Sequence, residues 1–278
     1  MRRARSRAVH RLVPCSIGRE KAARLHVATE QVHRWQREMK SRSGPLHDLW
    51  FDRASRLRID HLVERLSGRD RGARESALAE AELASTFVRA GVSVRFLPES
   101  QARTADLECH LGLDRFFVEV TALVGAGRFR KRGSFASRFA PPELEGDGDG
   151  HWLVGLVLGR IARKAQQLAD YCSPVVLAVT LPSGEQPGDR RARAGLDLRR
   201  LAGSITVLLP LVRQISAVLL SLWDIEPAPR SGARLANVYV VERSSRQAAS
   251  PRARLLIINP VAGFPLSERQ VAVLRNLL

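Results

Sequence analysis

The chain has 278 residues, 45% of them hydrophobic, which is enough for one substantial core and a further module. No apolar run reaches the ~20 residues that span a bilayer, and the basic first residues are not followed by a continuous apolar segment, so we expect neither a membrane span nor a secretory signal. Three widely spaced cysteines fit neither a disulfide framework nor a zinc site. A reducing, cytoplasmic setting is the expectation.

The net charge of +17 indicates a polyanionic partner, and nucleic acid is the commonest. Residues 1–74 hold 19 basic and 8 acidic side chains, a net charge of +11. Two helices are predicted there, over residues 20–40 and 46–66. The second has an apolar seam made by Leu49, Leu57, Leu62 and Leu66. We expect a basic helical N-terminal extension, which either lies along a phosphate backbone or packs on the main domain with its charges in water.

The next helix is amphipathic and ends at a turn around Gly91. At about 100° per residue, one face of it is apolar, with Ala77, Leu83, Ala84, Phe87 and Val88. Glu80 falls near the middle of this face, whereas Glu82 points to the opposite side. A carboxylate held against a core needs a metal, a cation or a proton to offset its desolvation, so Glu80 is a candidate functional residue.

Two further acids follow on predicted strands. Residues 116–121 alternate in polarity, and Glu119 interrupts an otherwise buried strand. Asp106 opens the preceding strand, and residues 112–115 provide a hairpin connection that brings Asp106 and Glu119 close together. Three carboxylates converging from a helix and two paired strands suit a hard divalent cation such as Mg²⁺ or Mn²⁺, which takes oxygen ligands.

At these residues the chain resembles the PD-(D/E)XK nuclease superfamily, which has the restriction-endonuclease-like fold. The family pattern is a Glu on the first helix, an Asp at the start of one strand and a Glu-x-Lys on the next. Here these are Glu80, Asp106 and Glu119, with Thr121 in place of the lysine and Ala105 in place of the proline. The resemblance covers roughly residues 75–180 and rests on the order and spacing of the motifs.

The resemblance implies a role for each of these residues. Asp106, Glu119 and the Val120 carbonyl would hold the metal, and Glu80 would bind it through water or help to position a second ion. Some members carry the lysine on the helix after the Glu-x-Lys strand, and Lys164 is the candidate for that position. It would orient or activate the attacking water, with Gln167 one turn on holding water or substrate.

A Gly- and Ser-bearing segment, residues 122–150, follows the second of these strands and reads as a surface loop. Its basic half could close over a phosphate backbone, or the segment could be an ordinary exposed insertion. The nucleic-acid-binding candidates in it are Arg128, Arg130, Lys131 and Arg132.

The remainder predicts a layered α/β fold. A helix over 152–171 carries Lys164, and further strands are predicted at 174–180, 215–223, 237–242 and 254–259, with a helix over 203–214 and another at 266–278. This order gives a mixed central β-sheet flanked by helices. We expect two units, an extension over 1–74 and a nuclease-like domain over 75–278 whose last strands extend the sheet.

Two functions from different classes are consistent with these residues. The first is a Mg²⁺-dependent endonuclease that hydrolyses phosphodiester bonds in DNA. The second is a nucleic-acid-binding or assembly protein that keeps the fold but has lost cleavage, as Thr121 permits. A third hypothesis is a DNA-binding regulator built on the N-terminal helices. The partner is nucleic acid in each case, with a homodimer as one candidate assembly.

Overall fold

The computed structural model of the chain describes residues 16–41, 53–98, 105–124, 151–182, 196–225, 238–243 and 252–277. Along the chain lie six helices and seven strands in these ranges: α1 Ser16–Ser41, α2 Arg53–Ser67, α3 Arg71–Arg89, β1 Ser93–Phe96, β2 Leu107–Leu111, β3 Asp114–Ala122, α4 His151–Gln167, β4 Val175–Leu181, α5 Leu198–Leu208, β5 Ala217–Trp223, β6 Val238–Arg243, β7 Arg252–Ile258 and α6 Glu268–Asn276.

The strands form one mixed sheet in the order β1-β2-β3-β4-β5-β7-β6. The central strands β3, β4 and β5 are parallel, and every other pair is antiparallel. A parallel pair needs a crossover connection, and α4 and α5 lie in the two crossovers that link the parallel strands. The predicted mixed sheet flanked by helices is therefore confirmed for the described residues.

Each face of the sheet has its own hydrophobic core. Phe116, Val118 and Val120 of β3 point into a core shared with α1, α2, α3 and α6. Phe117 points to the other face, where the core is built with α4 and α5. The alternation predicted for β3 is thus the division between the two cores, and it places Glu119 on the α4 side.

Tight turns fix the elements that bear the predicted acids. The side chain of Asp70 accepts a hydrogen bond from the Ala73 amide and caps the start of α3. At the other end of α3, Gly91 has φ of 76°, a backbone conformation that a side chain would strain. Gly112, with φ of 63°, adopts the same backbone conformation in the hairpin between β2 and β3.

Helices α1 and α2 pack into the same core as α3. Val32 is fully buried, and the ring of Trp35 lies 5.6 Å from that of Phe96 on β1. The prediction for the seam of α2 is wrong at Leu57, which is 61% exposed, whereas Leu62 is buried. Leu49 lies outside the described residues. The domain boundary at residue 74 stays a prediction; it falls within α3, and helices α1, α2 and α3 share one core.

The C-terminal half has the predicted order of helices and strands, but the helix α5 lies earlier in the chain than predicted. The helix predicted over 203–214 begins earlier, at Leu198, where Asp197 caps it, and it ends at Leu208 in a short 3-10 turn that contains Pro210. Proline cannot donate a backbone hydrogen bond, so the helix stops there. Among the helices of the described ranges, not one is long and apolar enough to cross a bilayer.

Candidate active site

Asp106 lies at the point where β2 begins, beside the C-terminal end of β3. Its amide donates to the Val118 carbonyl at 3.0 Å, and its carboxylate accepts from the Val120 amide at 2.7 Å. The amide of Val120 points away from β4, because alternate residues of β3 make the hydrogen bonds to that strand. The Val120 carbonyl faces the same way as its amide, and so it borders the Asp106 side chain.

Glu80 reaches the same place from α3 and is bound by an arginine of α2. Arg58 donates from Nε and Nη2 to the two oxygens of Glu80, both at 2.9 Å, and Nη2 also donates to Asp106 at 2.6 Å. Arg65, two turns further along α2, adds a bond of 3.3 Å to Glu80. Glu80 is 1% exposed, in agreement with its predicted position on the apolar face.

Glu119 meets Lys164 on the α4 side of the sheet. The Lys164 ammonium group donates to Oε1 of Glu119 in a short ion pair, and Glu119 is 5% exposed. Within the described residues Lys164 is the side chain that hydrogen-bonds to Glu119. The lysine that the sequence proposed for this site therefore contacts one of the proposed acids.

Electrostatic coupling shows that the three acids, which we call the acid cluster, share one environment. Burial and the Asp106 carboxylate raise the pKa of Glu80 to about 7, although Arg58 lowers it. Burial and Asp106 likewise raise the pKa of Glu119 to about 7, against the effect of Lys164. Burial also raises the pKa of Asp106 itself. Burial is the largest cause for all three acids, and the nearby cations Arg58, Arg65 and Lys164 offset it only in part.

Thr121 occupies the position where the family pattern has lysine. Its side chain is 4% exposed and its hydroxyl accepts a hydrogen bond of 3.1 Å from Arg160, one turn before Lys164 on α4. Burial and the nearby Arg163 lower the pKa of Arg160. Helix α4 thus presents two cations, Arg160 and Lys164, to the two polar residues of β3 on this face.

The other predicted contact residues are distributed differently. Gln167 is half-buried at the end of α4, one turn beyond Lys164. The loop residues Arg128, Arg130, Lys131 and Arg132 lie outside the described residues. Their proposed contact with nucleic acid stays a prediction.

The acid cluster has the donor chemistry of a hard-cation site, but its geometry is that of an ion-pair network. No three acidic, histidine or cysteine side chains in the described ranges are placed to share one metal ion. Arg58 explains this for Glu80, since it takes both oxygens of that residue and one of Asp106. The metal-binding role predicted for Asp106, Glu119 and the Val120 carbonyl stays a prediction, and both oxygens of Asp106 accept hydrogen bonds in this structure.

Comparison with known proteins adds no relative to this description. The chain matches no protein-family model, no curated protein and no solved structure. The resemblance to the nuclease superfamily therefore stays a prediction that rests on the order and spacing of the motifs.

Sequence reasoning missed Arg58, although the signal was present. Ser55 lies three residues before Arg58 along α2 and Leu62 lies four residues after it, and both are buried, as is the adjacent Ile59. A basic residue in the middle of such a stripe is as unusual as Glu80 in the stripe of α3. The same search applied to basic residues would have identified Arg58 as a buried cation, although not its partner.

Proposed function

We propose that this chain is a metal-dependent nuclease that hydrolyses phosphodiester bonds in DNA. The observation that carries the proposal is the convergence of Asp106, Glu119 and Lys164 from three separate elements. Lys164 lies 45 positions after Glu119 in the chain, and these two residues form a direct ion pair. The order and spacing of the motifs, and the net charge of +17, point to the same substrate class.

Each residue of the site has a role under this proposal. Mg²⁺ or Mn²⁺, held by Asp106, Glu119 and the Val120 carbonyl, would lower the pKa of a bound water and neutralise charge at the phosphate. Lys164 keeps N–H groups beyond the one that contacts Glu119, and these can donate to the attacking water or to a phosphate oxygen.

Glu80 acts through Arg58 in this arrangement. The Arg58 guanidinium neutralises Glu80 and holds one oxygen of Asp106, while the Val120 amide holds the other. Asp106 is therefore fixed in orientation before substrate arrives, which is what a metal ligand requires. The earlier expectation that Glu80 contacts a metal through water stays a prediction.

The test is cleavage of a supercoiled plasmid in Mg²⁺ or Mn²⁺ by the wild type and by Asp106→Asn, a substitution of nearly the same shape. We expect the wild type to nick or linearise the plasmid and Asp106→Asn to lose at least 100-fold in rate. A wild-type protein that cleaves equally well with Asp106→Asn would reject the acid cluster as the site of hydrolysis. Circular dichroism of both proteins controls for folding.

The metal itself gives a second readout. A cation that binds only the folded chain raises the free energy of unfolding, by about 2.7 kcal/mol at a hundredfold excess over Kd. We expect Mn²⁺ to raise the thermal midpoint of the wild type and to leave that of Glu119→Gln unchanged. Equal shifts in both proteins would place the cation elsewhere.

The second candidate function is a nucleic-acid-binding or assembly protein without cleavage activity. It is favoured by Thr121 in the lysine position and by Arg58, which already holds both oxygens of Glu80. Tight binding of DNA by the wild type, with no cleavage in either metal and no Mn²⁺ stabilisation, would decide for this function.

A further inference from the structure

The sheet face under α3 changes from apolar to polar along one row of residues. Ala178, Leu219 and Leu256 lie side by side on β4, β5 and β7 and are buried in the core. Two residues further along each strand in the same direction come Thr180, Ser221 and Arg254, again side by side. We call these three residues the polar row. Side chains two apart on a strand share a face, so the polar row borders the core directly.

A cavity of about 50 Å³ lies over the polar row. It has room for about four water molecules or for one group of phosphate size. Residues of α3 form one wall, the end of α6 forms another, and apolar side chains of the sheet form the floor. The polar and charged residues that line it are Glu82, Thr86, Thr180, Ser221, Arg252 and Arg254.

Two hydroxyl groups in the cavity can donate a hydrogen bond to a ligand. The Ser221 oxygen accepts from Nε and Nη2 of Arg252 at 2.9 and 2.6 Å, which leaves its own proton for another acceptor. The hydroxyl of Thr180 has no hydrogen-bond partner among the residues that the structure describes. Donors at neighbouring positions on adjacent strands favour a ligand made of acceptor oxygens.

The charge of the lining also favours an anion. Glu82 is held by Arg24 of α1 through two bonds of 2.9 Å, so its charge is already balanced. Arg24 and Arg252 both stack on the ring of Trp223, at 3.8 and 4.4 Å from its centre. Burial and Arg254 lower the pKa of Arg252 to about 9. The cavity is therefore lined by one carboxylate, already paired with Arg24, and by two guanidinium groups, those of Arg252 and Arg254.

The cavity is next to Val120, on the face of the sheet opposite to Glu119 and Lys164. Val120 lines it, and the amide of the same residue donates to Asp106. Val120 pairs with Ala178, one strand away and two residues before Thr180. With strands about 4.8 Å apart and about 3.3 Å per residue, Thr180 lies within about 10 Å of Val120. A chain with repeated phosphates could occupy both places at once.

We propose that this cavity is a phosphate-binding subsite, in which Arg252, Ser221 and Thr180 hold a phosphate of the nucleic-acid strand that neighbours the phosphate at the acid cluster. The subsite deepens the proposed function and rests on it for the identity of the strand. It binds without chemistry, so it positions the strand rather than acting in hydrolysis.

The experiment is fluorescence anisotropy of a labelled DNA oligonucleotide in EDTA, where cleavage does not interfere, over a range of salt concentrations. We expect Arg252→Gln to weaken binding about tenfold and to reduce the salt dependence by about one released ion. Ser221→Ala removes the hydroxyl donor without changing charge, so it is expected to weaken binding with the salt dependence unchanged. The matched control is Arg199→Gln, an exposed arginine on α5 across the sheet, with binding within about twofold of wild type.

Two further arms separate the sources of phosphate and the possible failures. Arg252→Lys keeps the charge and is expected to retain the salt dependence, which shows that Arg252→Gln acts through charge and not through unfolding. Inorganic phosphate is tested as a stabiliser of wild type and Arg252→Gln in thermal melts. Unchanged oligonucleotide binding by Arg252→Gln overturns the strand subsite, whether or not phosphate stabilises the wild type. If Asp106→Asn loses cleavage but still binds the oligonucleotide, this result supports the proposed nuclease activity and does not test the subsite.

Discussion

Arg58 and Glu80 form a buried ion pair in which two nitrogens of the arginine lie 2.9 Å from the two oxygens of the glutamate. Their side chains are 3% and 2% exposed. A planar guanidinium matches a carboxylate in this way, and the pair is stronger and more specific in direction than one with lysine. Helix α2 is thereby joined to α3 at the acid cluster, and through Asp106 to the sheet.

Removing Arg58 should destabilise the fold strongly. Arg58→Met leaves Glu80 buried with only the longer bond from Arg65, and an uncompensated buried charge costs about 3–5 kcal/mol. Urea unfolding at pH 7.5 measures this as a lower midpoint. Arg69→Gln is the control, since Arg69 is exposed just after α2 and its loss should change the free energy of unfolding by about 0.5 kcal/mol or less.

The double substitution Arg58→Met with Glu80→Leu tests whether the stability lost in Arg58→Met comes from the unpaired charge of Glu80. Both charges are then gone, and replacing a buried pair by apolar groups is often neutral, so we expect most of the lost stability to return. A single Arg58→Met with wild-type stability would contradict the assignment of Glu80 as a carboxylate held by Arg58.

Stability should fall as the pH rises through neutrality. Glu80 and Glu119 have folded pKa values of about 7, above the ordinary value of 4.5. The folded chain therefore holds more protons than the unfolded chain between these values. Their contribution is complete below about pH 4.5 and is lost as the pH rises through 7. Between pH 5 and 8 we expect a loss of roughly 1–3 kcal/mol in urea unfolding.

Asp106→Asn isolates this effect from other titrating groups. The Asp106 carboxylate raises the pKa of both glutamates, so its removal should flatten the dependence on pH. The quantity to compare is the difference in the free energy of unfolding between the wild type and Asp106→Asn at each pH. A difference that is constant from pH 5 to 8 would show that the three acids do not share a site.

Lys164 should be required for cleavage but not for binding. Lys164→Met removes the ammonium group that contacts Glu119, and a positioned proton donor or acceptor contributes about 10²–10⁴-fold to rate. We expect plasmid cleavage to fall by at least 100-fold, with DNA affinity in EDTA little changed. Arg163→Gln, the exposed neighbour on the same helix, is the control and should keep its activity.

A lysine returned to the family position offers a rescue. Thr121 lies on the same face of β3 as Glu119, two residues further along. In the Lys164→Met background, Thr121→Lys should recover part of the lost cleavage, limited by repulsion from Arg160. Cleavage by Lys164→Met at the wild-type rate would exclude a migrated lysine.

Helix α1 should contribute to the stability of the whole fold. Trp35 is 3% exposed against Phe96, and Trp35→Ala should cost about 3–5 kcal/mol through lost burial and the cavity that it leaves. Val27→Ala on the same helix, at 64% exposure, should cost about 0.5 kcal/mol or less. A single unfolding transition that shifts with Trp35→Ala supports one cooperative unit. Two transitions, of which only one shifts, would support a separate N-terminal domain.

The periodicity of the sequence predicted those features that are local. Alternation in β3 separated Glu119 from Val118 and Val120, and the helical repeat placed Glu80 on the buried face of α3. These patterns repeat every two or 3.6 residues and can be seen within about ten residues of chain. The position of the hairpin at Gly112 was predictable for the same reason, since its turn needs a glycine there.

Only the tertiary structure decided which charge faces which. The contacts of Arg58 with Glu80 and Asp106 join residues 22 and 48 positions apart, and no local pattern pairs a given arginine with a given acid. The polar row likewise exists only because β4, β5 and β7 lie side by side in a given register. The spacing of side chains along an element predicts which of them are buried. The partner of a buried charge depends on how the elements pack against one another, and this packing depends on the whole chain.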